Sequence, residues 1–196
     1  MNTVSPIRDE ELLRRCFDIA REHDRMRRRG EICWELLLGL GFASSLRISD
    51  IANLRVRDLM GKSRVQIRAK KTGKEANIYV NHEAMRKIQR MIAGRGKDEY
   101  VFQSRQRDPV THEYRPITRQ RAWQIMNRIA EKAGVQDKIG CHTLRKTYGY
   151  MHYKKYGDVA ELQKILNHSA PSVTLRYIGI EQERIEEHQK GMKTWF

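Results

Sequence analysis

One stretch of this chain, between residues 63 and 80, changes its hydrophobic period from that of a helix to that of a strand. Apolar and polar residues alternate there in two short runs, 65–69 and 76–80, on either side of the basic run Lys70-Lys71-Thr72-Gly73-Lys74. This pattern predicts a β-hairpin with a basic tip. Because the two strands form a hairpin and do not alternate with helices, the pattern excludes a parallel βαβ fold.

Helical spacing dominates the rest of the chain. Residues 31–41 are apolar nearly all round, which is typical of a central helix, and an amphipathic helix is predicted over 7–26 before it. Ser49 is a candidate N-cap for a short helix that begins just after Arg47. Residues 97–115 look irregular apart from a short segment at 100–102. Further helices are predicted at 82–92, where Asn81 is a candidate N-cap, and at 118–133, 144–155, 159–166 and 172–177. We therefore expect an α+β fold, mostly helical with a small antiparallel β-sheet, in a single domain over 1–196.

The charge of the chain indicates a polyanionic partner. It has 39 Lys and Arg against 24 Asp and Glu, a formal net charge of +15, and a pI near 10.0, which favours a nucleic acid first and an anionic membrane second. No apolar run is long enough to span a bilayer, and the N-terminus lacks the core of a signal peptide, so we expect a soluble cytoplasmic protein. The three scattered cysteines predict neither a disulfide framework nor a zinc site.

Two arginines stand in separate motifs at opposite ends of the chain, Arg47 after Ser45 and Arg145 in the sequence His-Thr-Leu-Arg. A phosphodiester resists attack because its charge repels nucleophiles, and its transition state gathers further charge on the non-bridging oxygens. Guanidinium groups stay protonated and match phosphate oxygens in pairs, so we expect Arg47 and Arg145 to clamp one scissile phosphate. His142 would share a helix face with Arg145 and either donate to that phosphate or carry the proton of the nucleophile.

Tyr177 follows His168 by nine residues and is the candidate nucleophile. A phenol that attacks phosphorus leaves a phosphotyrosyl ester, which preserves the energy of the broken bond for rejoining, so no metal or nucleotide is required. His168 would supply a further hydrogen bond. Lys71 is the candidate acid that protonates the departing 5′ oxygen. Alternatively, Lys71 only contacts backbone phosphates and takes no part in the reaction. Asp50 is expected to orient a cationic side chain and not to react.

These motifs resemble those of the catalytic domain of the tyrosine recombinase, or phage integrase, family over about residues 6–190. Each motif is weak alone, and the five together in this order are specific. They are Leu46-Arg47-Ile48-Ser49-Asp50, Lys71-Thr72-Gly73-Lys74, His142-Thr143-Leu144-Arg145-Lys146-Thr147, Leu166-Asn167-His168-Ser169 and Thr174-Leu175-Arg176-Tyr177.

The resemblance implies a mixed helical domain with a three-stranded sheet, and site-specific cleavage and rejoining of DNA through a 3′-phosphotyrosyl intermediate. It also implies strand exchange by a homotetramer on two sites in double-stranded DNA without an external cofactor, and accessory DNA-bending proteins are candidate partners. The site residues that it assigns are Arg47, Lys71, His142, Arg145, His168 and Tyr177, with Asp50 in place of the commoner Glu.

The chain departs from the family pattern in several places. Ser45 and Asn167 stand where the family usually has glycine, and Asn tolerates a left-handed backbone. The N-terminal helical domain that typically closes a clamp around DNA is expected to be absent, either because the chain is a piece of a longer protein or because it is a minimal form. Since fewer phosphates would then be neutralised, we expect weaker and more salt-sensitive DNA binding.

Two other functions compete with recombination. A type IB topoisomerase would use nearly the same residues to relax DNA as a monomer, and a non-catalytic DNA-binding module would keep the fold without the chemistry. The small size of the chain and its five motifs favour a recombinase over a topoisomerase. Because no catalytic position is replaced, a non-catalytic module is disfavoured. The polar tail over 181–196 ends in Trp195-Phe196; it either folds back on its own core or docks in trans on a neighbouring protomer.

Overall fold

The structure, a computed structural model, describes residues 4–28, 31–61, 64–68, 73, 75–80 and 82–192. Helices dominate these residues, with two short hairpins between them, so the predicted α+β fold is confirmed. The helices are α1 (Glu10–Arg25), α2 (Trp34–Ala43), α3 (Ile48–Ala52), α4 (Val56–Leu59), α5 (His82–Ile92), α6 (Arg119–Ala133), α7 (Thr143–Tyr156), α8 (Val159–Leu166), α9 (Pro171–Ile178) and α10 (Ile180–Gly191). The strands are β1 (Arg64–Arg68), β2 (Glu75–Tyr79), β3 (Gln103–Arg107) and β4 (Tyr114–Pro116).

The strands pair as two separate antiparallel hairpins. Strand β1 pairs with β2 in a register that sets Val65 against Ile78, which confirms the strands of the predicted hairpin. Strand β3 pairs with β4, so the prediction of an irregular segment over 97–115 was wrong. Both strands are polar and mostly exposed, and they therefore lack the alternation that marks a strand in sequence. The described residues form no three-stranded sheet of the kind that the resemblance implied.

The predicted helices are present, most of them with shifted ends. Helix α1 begins at Glu10 because the carboxylate of Asp9 accepts hydrogen bonds from the backbone N–H groups of Glu11 and Leu12. Ser49 is not the N-cap of α3, as the sequence suggested. The capping position is Arg47, whose extended backbone and carbonyl begin the helix two residues earlier.

Two buried cysteines, Cys16 and Cys33, belong to the hydrophobic core. Burial raises the pKa of Cys16 to about 11, and burial together with a hydrogen bond to Asp24 raises the pKa of Cys33 to about 12. Both thiols therefore stay protonated at neutral pH and are poor nucleophiles. Among the described residues, no helix is both long and apolar enough to cross a membrane.

Helix α7 lies at the centre of the part of the fold that carries the candidate site. A Cβ atom on Gly41 would lie 2.5 Å from Leu144 Cδ1, and one on Gly149 would lie 2.7 Å from Ile178 Cγ2. The two glycines thus let α7 approach α2 on one side and α9 on the other. Because α2 leads into Arg47 and α9 carries Tyr177, this close packing brings distant parts of the chain together.

Two residues near this centre have left-handed backbones without being glycine. Ser45 has φ 53° and Asn167, which ends α8, has φ 51°. A left-handed backbone costs roughly 1–2 kcal/mol for most L-residues, and Asn adopts it more readily than Ser. The two positions where the sequence departs from the usual glycine are therefore positions where glycine would fit better.

The Ser45→Gly variant is expected to be more stable than the native chain by about 0.5–1 kcal/mol, because the relief of strain exceeds the extra chain entropy that glycine brings to the unfolded state. The urea midpoint at constant m-value measures this change. Asn167→Gly is the matched control and should gain less. A lower midpoint for Ser45→Gly would show that the buried Ser45 side chain contributes more than the strain costs.

Candidate active site

Arg145 joins three segments that are distant in sequence. It lies in the first turn of α7, is 6% exposed, and donates through Nη1 to the carbonyl oxygen of Ser45 and through Nη2 to that of Leu166, the latter at 2.6 Å. Each carbonyl lies two residues before a predicted site residue, Arg47 in one segment and His168 in the other. The guanidinium of Arg145 therefore fixes the backbone from which both side chains emerge. A guanidinium has five N–H donors, so these two bonds do not exhaust it.

Arg47 and Asp50 lie beside Arg145. Arg47 is half-buried, and its positive charge acts on Arg145 and on the phenol of Tyr177. The carboxylate of Asp50 is 6% exposed and stabilises the charge of Arg145. Burial lowers the pKa of Arg145, yet a guanidinium starts from so high a value that it stays protonated. The site thus holds two arginines, with one buried carboxylate close to Arg145.

The hydroxyl of Tyr177 lies next to the imidazole of His142. Tyr177 Oη is 3.5 Å from His142 Nδ1, and the two rings meet edge to face with centroids 6.4 Å apart. His142 occupies the N-cap position of α7, and Tyr177 lies in the last turn of α9. The close packing of these two helices therefore sets a candidate base against a candidate nucleophile.

His168 covers the other side of the Tyr177 ring. The two ring centroids are 4.9 Å apart at an interplanar angle of 72°, which is an edge-to-face contact. His168 Nδ1 is 3.1 Å from Thr174 Oγ1, and Thr174 is completely buried. This hydrogen bond fixes the orientation of the imidazole, so that Nε2 is the ring nitrogen left for a substrate.

The charges around the site disfavour further positive charge and favour a neutral phenol. Burial, followed by the surrounding cations, lowers the pKa of His142 and of His168. Burial raises the pKa of Tyr177, although Arg145 and Arg47 act in the opposite direction. At neutral pH both imidazoles are therefore uncharged and Tyr177 carries its proton, which is the pairing that a base and a nucleophile need.

Sequence analysis gave no role to Lys146, which the structure places against Tyr177. Its Nζ lies 5.3 Å from the centroid of the Tyr177 ring and donates to the carbonyl oxygen of Val4 at 2.8 Å. The next residue, Thr147, accepts a hydrogen bond from the backbone N–H of Ile7. The segment before α1 is thus tied to the helix that carries Arg145. The only sequence signal for this role was a lysine next to a predicted site arginine.

The structure brings together all the predicted site residues that it describes. Lys71, the remaining one, lies outside the described residues. A further cationic residue, Arg119 at the start of α6, also acts on His142, and no motif singled it out. The predicted residues that meet near the ends of α7, α8 and α9 and at the start of α3 are Arg47, Asp50, His142, Arg145, His168 and Tyr177.

The Gly149→Ala variant is expected to lose cleavage activity more than DNA affinity. The new Cβ would press on Ile178 and displace α9, which moves the hydroxyl of Tyr177 away from His142, and we expect a destabilisation of about 1–3 kcal/mol. Single-turnover cleavage and urea unfolding measure the two effects. Gly39→Ala is the matched control, because it lies in α2 with nothing within 4 Å of a new Cβ. Equal losses in both variants would contradict the prediction.

Comparison with known proteins gives consistent matches along the chain. The family model for the phage integrase family matches residues 10–184. A probable integrase/recombinase, YoeC of Bacillus subtilis, is 40% identical over 143 residues, which cover 73% of this chain and 75% of YoeC.

Two solved structures show the same fold. The XerH site-specific recombinase in a post-cleavage complex with its palindromic difH substrate gives a TM-score of 0.68 at 16% identity, covering 96% of this chain and 53% of XerH. A lambda integrase dimer bound to a core site gives a TM-score of 0.60 at 15% identity, covering 89% of this chain and 59% of that protein. The chain spans about half the length of several other curated relatives that it matches.

Proposed function

Because this chain belongs to the phage integrase family, we propose that it is a site-specific recombinase that cleaves and rejoins DNA through a covalent 3′-phosphotyrosyl intermediate on Tyr177. The observation that carries the proposal is the contact of Tyr177 Oη with His142 Nδ1 beside the buried Arg145. These residues supply a nucleophile, a base and positive charge without a metal ion or ATP.

Each group has a defined part in the proposed cleavage step. Tyr177 Oη attacks phosphorus and gives its proton to His142 Nδ1, which is unprotonated at neutral pH because of its lowered pKa. The bond from phosphorus to the 5′ oxygen breaks, and we assign the proton that this oxygen needs to Lys71. Arg47 and Arg145 neutralise the two non-bridging oxygens as charge gathers on them.

His168 would complete the contacts to the attacked phosphate. The hydroxyl of Thr174 donates to the carbonyl oxygen of Ala170 and can therefore accept a hydrogen bond from Nδ1. A phosphate anion beside the ring favours the protonated imidazole, in which Nε2 also carries a hydrogen and donates to a phosphate oxygen. Rejoining reverses these steps, with a 5′ hydroxyl attacking the phosphotyrosyl ester and the proton returning to Tyr177. The energy of the ester is enough for rejoining, since one phosphodiester replaces another.

We further propose double-stranded DNA as the partner, a homotetramer on two sites as the active assembly, and accessory DNA-bending proteins as candidates. DNA-bound XerH and the lambda integrase dimer support binding to DNA and assembly into oligomers.

The described part of the tail supports docking in trans, because Ile185 and Met192 are 46% and 73% exposed and α10 buries only Ile180. We also propose that the protein acts in the cytoplasm, and the proposed action on DNA is consistent with that location.

A library of nicked duplexes with random sequence around the nick tests the proposed cleavage. A nick lets the short fragment with the 5′ hydroxyl diffuse away, so that rejoining stops and the adduct accumulates. In EDTA, we expect a protein–DNA band that survives denaturing electrophoresis, with the DNA linked to the peptide that contains Tyr177. The recovered DNA gives the preferred site.

Two other outcomes of this assay would favour the competing functions. Tight binding with no covalent band on any recovered duplex would indicate a DNA-binding module of the same fold. Adducts without sequence preference, together with relaxation of supercoiled plasmid by the monomer, would indicate a type IB topoisomerase. Sedimentation on paired sites tests the proposed tetramer, and removal of residues 181–196 should abolish it while single-site binding remains.

A further inference from the structure

Arg119 places an additional positive charge beside the candidate site. It is the first residue of α6 and is exposed, and its Nε donates to Cys141 Sγ at 3.2 Å. Cys141 directly precedes His142, so the guanidinium is held against the segment that carries the candidate base. The hydrogen bond to Cys141 raises the pKa of Arg119, and the slight burial of Arg119 acts in the opposite direction. No carboxylate of the described residues contributes to this pKa.

The charge of Arg119 reaches the imidazole of His142. After burial, it is the first of the charges that lower the pKa of His142, ahead of those of Arg145 and Arg47. Three guanidinium groups thus converge on one imidazole. Like charges gathered in this way repel one another in the free protein, and a bound polyanion relieves the repulsion.

The attacked phosphate does not need a third arginine. It has two non-bridging oxygens, and the forks of Arg47 and Arg145 are enough for both. Arg119 differs from Arg145 because it is exposed and because, among the described residues, its guanidinium is held only by a thiol, which is a weak acceptor. An exposed guanidinium at the edge of the site is suited to a neighbouring group on the same backbone.

We propose that Arg119 contacts a phosphate of the cleaved strand next to the one that Tyr177 attacks, and thereby sets the register of the DNA on the site. This inference rests on the proposed cleavage of DNA by Tyr177. It adds to that reaction a DNA-contacting residue on α6, an element that carries none of the catalytic site residues predicted from sequence. Because the contact is to the backbone, it positions the strand and reads no base.

The test uses single-turnover cleavage of the nicked duplex recovered from the library, in versions that carry one neutral methylphosphonate at successive positions near the cleavage site. With unmodified DNA, Arg119→Ala should cleave about tenfold or more slowly than the native chain, and Arg119→Lys should recover part of the loss. The slope of log affinity against log salt should fall by about 1. On the one duplex whose contacted phosphate is neutral, native chain and Arg119→Ala should cleave equally slowly.

Arg128→Ala is the matched control, because Arg128 is exposed on the same helix and does not act on His142. It removes the same charge and should show no dependence on any single methylphosphonate. Native cleavage rates for Arg119→Ala, or the same fold-loss on every modified duplex, would overturn the inference and leave the proposed function standing. If the native chain forms no Tyr177 adduct on any duplex, both fail.

The pH dependence of cleavage supplies a readout that a purely structural role would not change. Since Arg119 lowers the pKa of His142, Arg119→Ala lets it rise, and the acid limb of the rate profile moves to higher pH because the base must be unprotonated. An unmoved limb would count against close contact of Arg119 with the site. The groups that face His142 from the surrounding elements are Arg119, Arg145, Arg47, Lys146 and Tyr177.

Discussion

The Tyr177→Phe variant is expected to form no covalent adduct with the recovered nicked duplex while binding it with nearly native affinity. The substitution removes the one oxygen that attacks phosphorus, and no other group in the site can form the ester. The ring itself should stay in place, because its contacts with His168 and Lys146 do not involve the hydroxyl. The variant loses the long hydrogen bond to His142, at 3.5 Å, and the hydrogen bond between the hydroxyl and Arg145, so we expect its free energy of unfolding to fall by about 1–3 kcal/mol.

Denaturing electrophoresis measures the adduct, and a gel-shift titration measures the affinity. Tyr156→Phe is the matched control, since it removes the same atom from a tyrosine that is 60% exposed near the end of α7. Its adduct yield should equal that of the native chain. An adduct that persists in Tyr177→Phe would assign the nucleophile to another residue and refute the proposed mechanism.

Helices with strong end signals could be predicted closely from the sequence. Helix α8 matches its prediction at both ends, because Asp158 caps its start and Asn167 turns left-handed after its last residue. Helix α6 begins one residue after Thr118 and ends before Gly134 for the same reasons. The start of α3 was predicted within one turn, with Ser49 as the N-cap in place of Arg47. An arginine side chain has no hydrogen-bond acceptor, so Arg47 gave no capping signal in the sequence.

The members of the candidate site could be identified from residue types, but the way the site is held together could not. Arginine, histidine and tyrosine are marked by their chemistry, so the motifs selected residues that the structure then brings together. The acceptors for Arg145 are backbone carbonyls at Ser45 and Leu166. Every residue has such a carbonyl, so no sequence pattern identifies these two. The contacts of Lys146 with Val4 and of Arg119 with Cys141 escaped prediction for a related reason, since only the fold joins them.

In the Arg145→Lys variant, the free energy of unfolding is expected to fall by about 2–4 kcal/mol. The variant should also cleave DNA at least about 100-fold more slowly than the native chain. Two hydrogen bonds from one rigid, planar group now span the carbonyls of Ser45 and Leu166. A lysine carries its donors on a single nitrogen and cannot reach both segments, so at least one buried carbonyl loses its partner. The charge is kept, which means that the loss measures geometry and not electrostatics.

Arg47→Lys separates the structural part of this effect from the catalytic part. Arg47 is half-buried, and no hydrogen bond from its guanidinium ties two segments together among the contacts that the structure describes, so its replacement should slow cleavage with little change in the urea midpoint. In the Arg145→Lys variant, both the cleavage rate and the urea midpoint should fall. The segments that carry Arg47 and His168 should also exchange their amide hydrogens faster. If Arg145→Lys matched Arg47→Lys in stability, the two carbonyl bonds would not be what holds the site together. The phosphate clamp would then owe its rigidity to the packing of α7 against α2 and α9.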